Sequence, residues 1–141
     1  MSPEENKGIV RRFQEGMMEA FRTGDLGLLL DTVHPDCAFD SPAMPATVDG
    51  MKQALPAFRT AFPDMRMTVG EMLADGDKVA YRITVTGTHT GEFMGIPATG
   101  KRVTFTETHI DQIHNGLIVR HDGDWDQMGM LQQLGVIPAM G

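Results

Sequence analysis

The segment THIDQIHNGLIVRHDGDWD crowds His109, Asp111, His114, His121, Asp122, Asp124 and Asp126 into one short stretch. Imidazoles and carboxylates at this density suit general acid–base chemistry, because a partly dry cavity pushes both kinds of group away from their values in water. The HNG triplet at 114–116 reads as a hairpin turn. Antiparallel pairing around it sets His109 roughly opposite His121 or a neighbour, and facing residues of such a pair lie ~5 Å apart. Asp111 shares the alternation of Phe105, His109 and Ile113, so it faces whatever His109 faces. Buried, it needs a partner or water. Asp126 is better explained as a helix cap and His114 as a turn residue.

Asp40 is a second candidate base. It ends a short strand-like piece, HPDCAFD, with Ser-Pro breaking the chain behind it. A carboxylate projecting from a strand end into an apolar cavity can take a proton from carbon beside a carbonyl. On local grounds a turn-capping Asp fits the same pattern somewhat better. Tyr81, the only tyrosine, can donate to an oxyanion if it points inward. Arg82 has the opposite parity and belongs to the other face. His89 reads as a loop-bracing histidine. No HExxH or CxxC spacing is present, so no metal site is expected. Glycine-rich phosphate loops and a GxSxG elbow are likewise missing from the sequence.

The elements that must position these groups follow from periodicity. Residues 4–22 predict a helix, capped by Ser2 with Pro3 at its first position and Ile9, Phe13, Met17 and Phe21 on one stripe. A short helix through Leu28, Leu29 and Leu30 follows Asp25. Asp49 is a plausible cap for a third helix carrying Leu55, Phe58 and Phe62, which Pro56 should kink or delay and Pro63 ends. Beyond Pro63 the period becomes two. Met65, Met67 and Val69 alternate, and ADGD at 74–77 predicts a hairpin turn. Val79, Tyr81, Ile83 and Val85 form one strand face. Residues 90–100 are a loop, and Val103, Phe105, His109 and Ile113 form the next face. Leu117, Val119, His121 and Trp125 share the parity of the last strand. A closing helix over 126–134 is capped by Asp126 and stopped by Gly135. Helices first and hairpin-joined strands afterwards make an α+β domain, one domain over 1–141, with a curled sheet leaving a conical cavity against the first helix.

Hydrophobic residues at 41% and charged residues at 22% exclude a disordered chain and allow a real core. A net charge of −7 with no basic cluster argues against nucleic-acid or acidic-membrane partners. No apolar run approaches the ~18 residues of a membrane span. The single cysteine, Cys37, permits no internal disulfide and fits a reduced cytoplasm. Twelve methionines suit an adaptable apolar space. If several of those at 17, 18, 65, 67, 128 and 130 face the cavity, they would suit a flat, bulky ligand.

VTGTHTGEFMGIPATGKRVTFTETHIDQIHNGLIV followed by GDWDQMGMLQQLG resembles the SnoaL-like polyketide cyclases and ester cyclases of the NTF2-like superfamily. ENKGIVRRFQEGMMEAFRTGDL and AFPDMRM also fit. The resemblance implies an NTF2-like cone with one deep apolar pocket, a homodimer formed through the sheet, a small apolar or aromatic ligand, and ring closure by intramolecular aldol condensation with no metal or cofactor. It also implies proton transfer by an Asp on the final strand and a His on the strand before it. The family histidine falls on His109. The family aspartate falls at or beside Gly123, flanked by Asp122 and Asp124. The sequence departs from the family pattern at Asp40, Gln112, Arg120 and Asp122.

The leading expectation is therefore that Asp122, or Asp124 if a bulge shifts register, exchanges a proton at carbon while His109 bonds the enolate. Tyr81, His121, Asp111, Met17, Phe105 and Trp125 are expected around the ligand. The rivals are isomerase or hydratase chemistry with Asp40 as base, as the resemblance to ketosteroid isomerases implies, and a non-catalytic ligand-binding dimer.

Overall fold

A computed structural model describes residues 2–42 and 45–138. Its first helix, α1 (Pro3–Thr23), starts where Ser2 Oγ accepts from the Glu5 N–H and the Glu5 carboxylate accepts in return from the Ser2 N–H. This reciprocal capping satisfies two otherwise orphaned donors. The buried stripe carries Val10, Phe13, Met17, Ala20 and Phe21, and it also takes in Asn6 and Gln14. Gly24, at φ 83°, closes the helix in the left-handed region.

α2 (Gly27–Thr32) leads into β1 (Val33–Asp40), and α3 (Val48–Ala61) follows. The cap of α3 is Thr47, whose Oγ1 accepts from Gly50 N–H, and Asp49 sits inside the first turn instead. Pro56 does not delay this helix. Its ring is on the exposed side, where water can take the carbonyl that loses its N–H partner.

The sheet contains β2 (Arg66–Asp75), β3 (Lys78–Thr88), β4 (Arg102–His114) and β5 (Leu117–Trp125), in the order β1-β5-β4-β3-β2. Among the described residues the only parallel pairing is β1 with β5; the other neighbours are antiparallel. α1 packs across the concave side, and α4 (Gln127–Leu134), capped by Asp126, closes the chain against β4. One sheet face is therefore the core. Val79, Tyr81, Ile83 and Val85 of β3 and Val103, Phe105, His109, Asp111 and Ile113 of β4 all point into it. This is the α+β cone the resemblance implies. No helix among the described residues is long and apolar enough to cross a membrane.

The β4–β5 hairpin turns at Asn115 and Gly116, both with positive φ, which fits the right-handed twist of the strands. Its register then changes. Ile113 pairs with Ile118, but Gln112 pairs with Arg120, so Val119 is one residue too many. This bulge corrects the parity expected for β5. Ile118, not Leu117 or Val119, is buried, and the alternation restarts so that His121 also points inward.

Candidate active site

Between α1, α3 and the sheet lies a partly enclosed hollow of about 700 Å³, counting the part open to solvent. Met17, Phe58, Met67, Phe93, Phe105 and Trp125 give it an apolar lining, and Gln14, Glu107, His109 and His121 gather the polar groups. Such a division, apolar walls with a few polar side chains, is typical of small-ligand sites.

The restarted register in β5 sets Asp111 opposite His121 and His109 opposite Gly123. Asp111 is fully buried, and both of its oxygens are used. Oδ1 accepts from His121 Nδ1 at 2.5 Å, and Oδ2 accepts from the Tyr81 hydroxyl at 2.8 Å. The Tyr81 oxygen accepts in turn from Gln14 Nε2 at 2.9 Å. One chain of hydrogen bonds thus runs Gln14, Tyr81, Asp111, His121, with its two ends lining the hollow and Tyr81 and Asp111 behind the wall. Burial raises the Tyr81 pKa well above its usual value, and the nearby Asp111 charge and its hydrogen bond add to that. The phenol therefore stays a donor. With Asp111 holding Nδ1–H, the His121 ring has the tautomer whose bare nitrogen is Nε2, on a side chain that lines the hollow. A carboxylate that orients an imidazole in this way also stabilises the imidazolium formed when Nε2 takes a proton.

His109 stacks on His121, with ring centroids 4.4 Å apart and planes 19° apart. Its Nε2 is 2.7 Å from Glu107 Oε1, and with Glu107 as carboxylate that nitrogen carries the hydrogen. Its Nδ1 is buried against β5 at Gly123 and has no partner among the described residues. A β-carbon at position 123 would lie 2.6 Å from His109 Cε1 and 2.9 Å from Cγ. The imidazole therefore fills the space that any side chain at 123 would need.

The expected partnership of His109 with an acid from 122–124 is corrected by this register. Asp122 pairs with exposed Ile110, and Asp122 and Asp124 alternate away from His121 and Gly123, onto the far face of the sheet. Asp122 Oδ2 accepts from Arg120 Nε at 2.8 Å. Asp40 is also placed outside the hollow. Phe39 is the inward residue of β1, while Asp40 is mostly exposed and lies 3.6 Å from Arg120. Asp40, Asp122 and Asp124 instead line a separate, more open crevice with Ser41, Pro42 and Gly123.

Met17, Phe105 and Trp125 line the hollow, and Trp125 Nε1 donates to the Pro42 carbonyl at 2.8 Å. Met65, Met67 and Met130 line it too, whereas Met128 is exposed. Tyr81 and Asp111 stand one layer behind. His89 Nδ1 accepts from the Thr99 N–H at 3.2 Å, bracing the 90–100 loop that carries Phe93. Gln14 and Glu107 were not among the residues expected here. Glu107 lies on the same alternation as Phe105 and His109, and Gln14 lies within the widened α1 stripe, so both carried a signal.

Among the described residues no group of three or more His, Cys, Asp or Glu is arranged to hold a metal ion. Cys37 is buried, and burial, with the charges of Asp111 and Asp122, pushes its thiol up to about 12. It is not a nucleophile at neutral pH.

The chain is 28% identical over 134 residues to the aklanonic acid methyl ester cyclase of Streptomyces peucetius, covering 90% of this chain and 88% of that protein. It is 30% identical over 129 residues to the nogalonic acid methyl ester cyclase of Streptomyces nogalater, covering 84% and 92%. The crystal structure of AclR from Streptomyces galilaeus, described as a candidate hydroxylase, superposes with a TM-score of 0.83 at 30% identity, covering 99% of this chain and 87% of that one. The profile of the SnoaL-like polyketide cyclases matches residues 11–134, so with these relatives spanning most of its length, the chain belongs to the SnoaL-like polyketide cyclase family.

Proposed function

We propose that this protein is a cofactor-independent cyclase that closes a ring in an apolar, polyketide-like carbonyl compound by intramolecular aldol addition, with His121 carrying the proton. The supporting observation is the buried Asp111 carboxylate behind His121, which turns a bare imidazole nitrogen toward an apolar hollow. His121 Nε2 takes a proton from the carbon beside one carbonyl. The electron pair left on that carbon forms the new bond to a second carbonyl carbon of the same molecule. The alkoxide so made takes the proton back from His121. Nothing is oxidised or reduced, and atoms balance without a co-reactant. His109 and Glu107 form a polar wall of the hollow, but His109 gives its Nε2–H to Glu107 and sets Nδ1 against Gly123, so it has no hydrogen for the enolate and its part is to fix the His121 ring by stacking on it.

The relatives named as methyl ester cyclases support this choice of substrate class. The reading includes one functional domain, a homodimer formed through the outer sheet face, where Ile110 and Leu73 are exposed, and a reducing cytoplasm suited to the free Cys37. The similarity to AclR alone favours a second reading, hydroxylation of the same kind of ligand. Incubation with aklanonic acid methyl ester, followed by chromatography and mass spectrometry, separates the two. Aldol addition gives a new product of unchanged mass, and hydroxylation, with dioxygen and a two-electron reductant supplied so that the second oxygen atom leaves as water, adds one oxygen. An unconsumed ester, with nogalonic acid methyl ester also untouched, contradicts both.

A further inference from the structure

Gln14 lines the hollow, and only half of its amide is used. The Tyr81 hydroxyl hydrogen is committed to Asp111 Oδ2, so the Tyr81 oxygen can only accept from Gln14. That requirement fixes the amide: Nε2 faces Tyr81, and Oε1 is the end left over. Oε1 is buried and has no partner among the described residues, on a residue only 4% exposed. An unpaired buried acceptor carries the desolvation penalty of a bond not made. His109 Nδ1 is in the same position, but it lies against the β5 backbone at Gly123. Gln14 is thus the unsatisfied acceptor that belongs to the ligand side.

We infer that Gln14 Oε1 is a ligand subsite that accepts a hydrogen bond from a phenolic or enolic hydroxyl, so that the hollow selects hydroxylated rings over their deoxy or O-alkylated counterparts. A carbonyl or ether oxygen cannot serve, because Oε1 only accepts. The hydroxyl also strengthens the chain behind it. A donor on Oε1 polarises the amide, whose N–H then donates more strongly to Tyr81, which donates to Asp111. Hydroxyl recognition and the orientation of His121 are therefore linked through one chain of bonds. The inference rests on the flat apolar ligand class proposed above, but not on turnover.

The test uses Trp125, the only tryptophan and a residue of the hollow, as a fluorescence reporter. The probes are 9,10-anthraquinone and its 2-hydroxy and 2-methoxy derivatives. None has a hydrogen-bearing carbon beside a carbonyl, so none can be turned over. The wild-type chain should bind the hydroxy compound about tenfold more tightly than the methoxy compound. In Gln14→Met the ratio should fall to about one. On wild-type protein, the side-chain N–H resonances of Gln14 should shift with the hydroxy probe and not with the methoxy probe, a measurement that needs no variant to fold. Equal affinities in the wild type, or a preference that persists in Gln14→Met, would overturn the subsite while leaving ring closure standing. No binding by any of the three would overturn the subsite together with the ligand class.

Discussion

Replacing Gly123 by Ala is the sharpest small perturbation of the site. Gly123 is not in the left-handed region, so the backbone accepts alanine and the effect isolates the side chain. The added methyl lies 2.6 Å from His109 Cε1 and 2.9 Å from Cγ, against an ordinary carbon contact of ~3.5 Å. The ring must therefore move by roughly 1 Å. It cannot move freely, since it is stacked on His121 and bonded to Glu107. Overpacking of this kind costs about 1–3 kcal/mol, a fall in Tm on the order of 3–10 °C. A misplacement of ~1 Å in catalytic geometry costs roughly 100-fold in rate. Thermal melting followed by circular dichroism, with turnover of aklanonic acid methyl ester, reads both effects. A Gly123→Ala protein that melts normally and turns over within about twofold of wild type would refute the reasoning, because His109 would then not occupy that space.

Other substitutions probe other parts of the account. Asp122→Asn and Asp124→Asn should each leave turnover within about twofold of wild type, because both side chains lie across the sheet from His121; steady-state rates check this, and a large loss would restore the acid pairing expected from sequence. Asp111→Asn should lower kcat by roughly 100-fold or more, since an amide cannot accept from both Tyr81 and His121 and no longer stabilises an imidazolium. Tyr81→Phe should cost about 1–3 kcal/mol in urea unfolding, because it leaves Gln14 Nε2 unpaired and strips Asp111 of a donor. Cys37 supplies a pH test. The folded thiol stays protonated to about 12, while in the unfolded chain it ionises near 9.0. Its contribution is fully present below pH 9 and is lost as pH rises toward 12. The wild-type urea midpoint should therefore fall relative to Cys37→Ala between pH 8 and pH 10.5, and parallel midpoints would contradict the burial of that thiol.

Much of this site is legible from local periodicity. Alternation along β3 and β4 places Tyr81, His109 and Asp111 on one face, because a two-residue period needs no knowledge of the rest of the fold. β5 defeats the same reasoning. Nothing in GLIVRH announces that Val119 is an extra residue, and a bulge depends on how two strands twist against each other. The role expected of Asp122 rests on its nearness to Gly123, where the family aspartate falls, and not on its parity. His121 and Trp125 share one face, and that pattern alone places the residue between them at 122 on the other. Glu107 and Gln14 are harder for a different reason. Charged and amide side chains amid apolar neighbours read as solvent-facing, and only tertiary packing shows that both border a hollow. Asp40 is extended away from the core because Phe39 takes the inward position beside it, a choice that the parallel pairing of β1 with β5 enforces.

The most direct test of the account is the ring-closure rate of His121→Gln on aklanonic acid methyl ester, measured beside its affinity for 2-hydroxyanthraquinone. Removing the proton carrier should lower kcat by about 100-fold or more while leaving probe binding within severalfold of wild type. Ring closure at the wild-type rate in His121→Gln would show that the proton travels by another group.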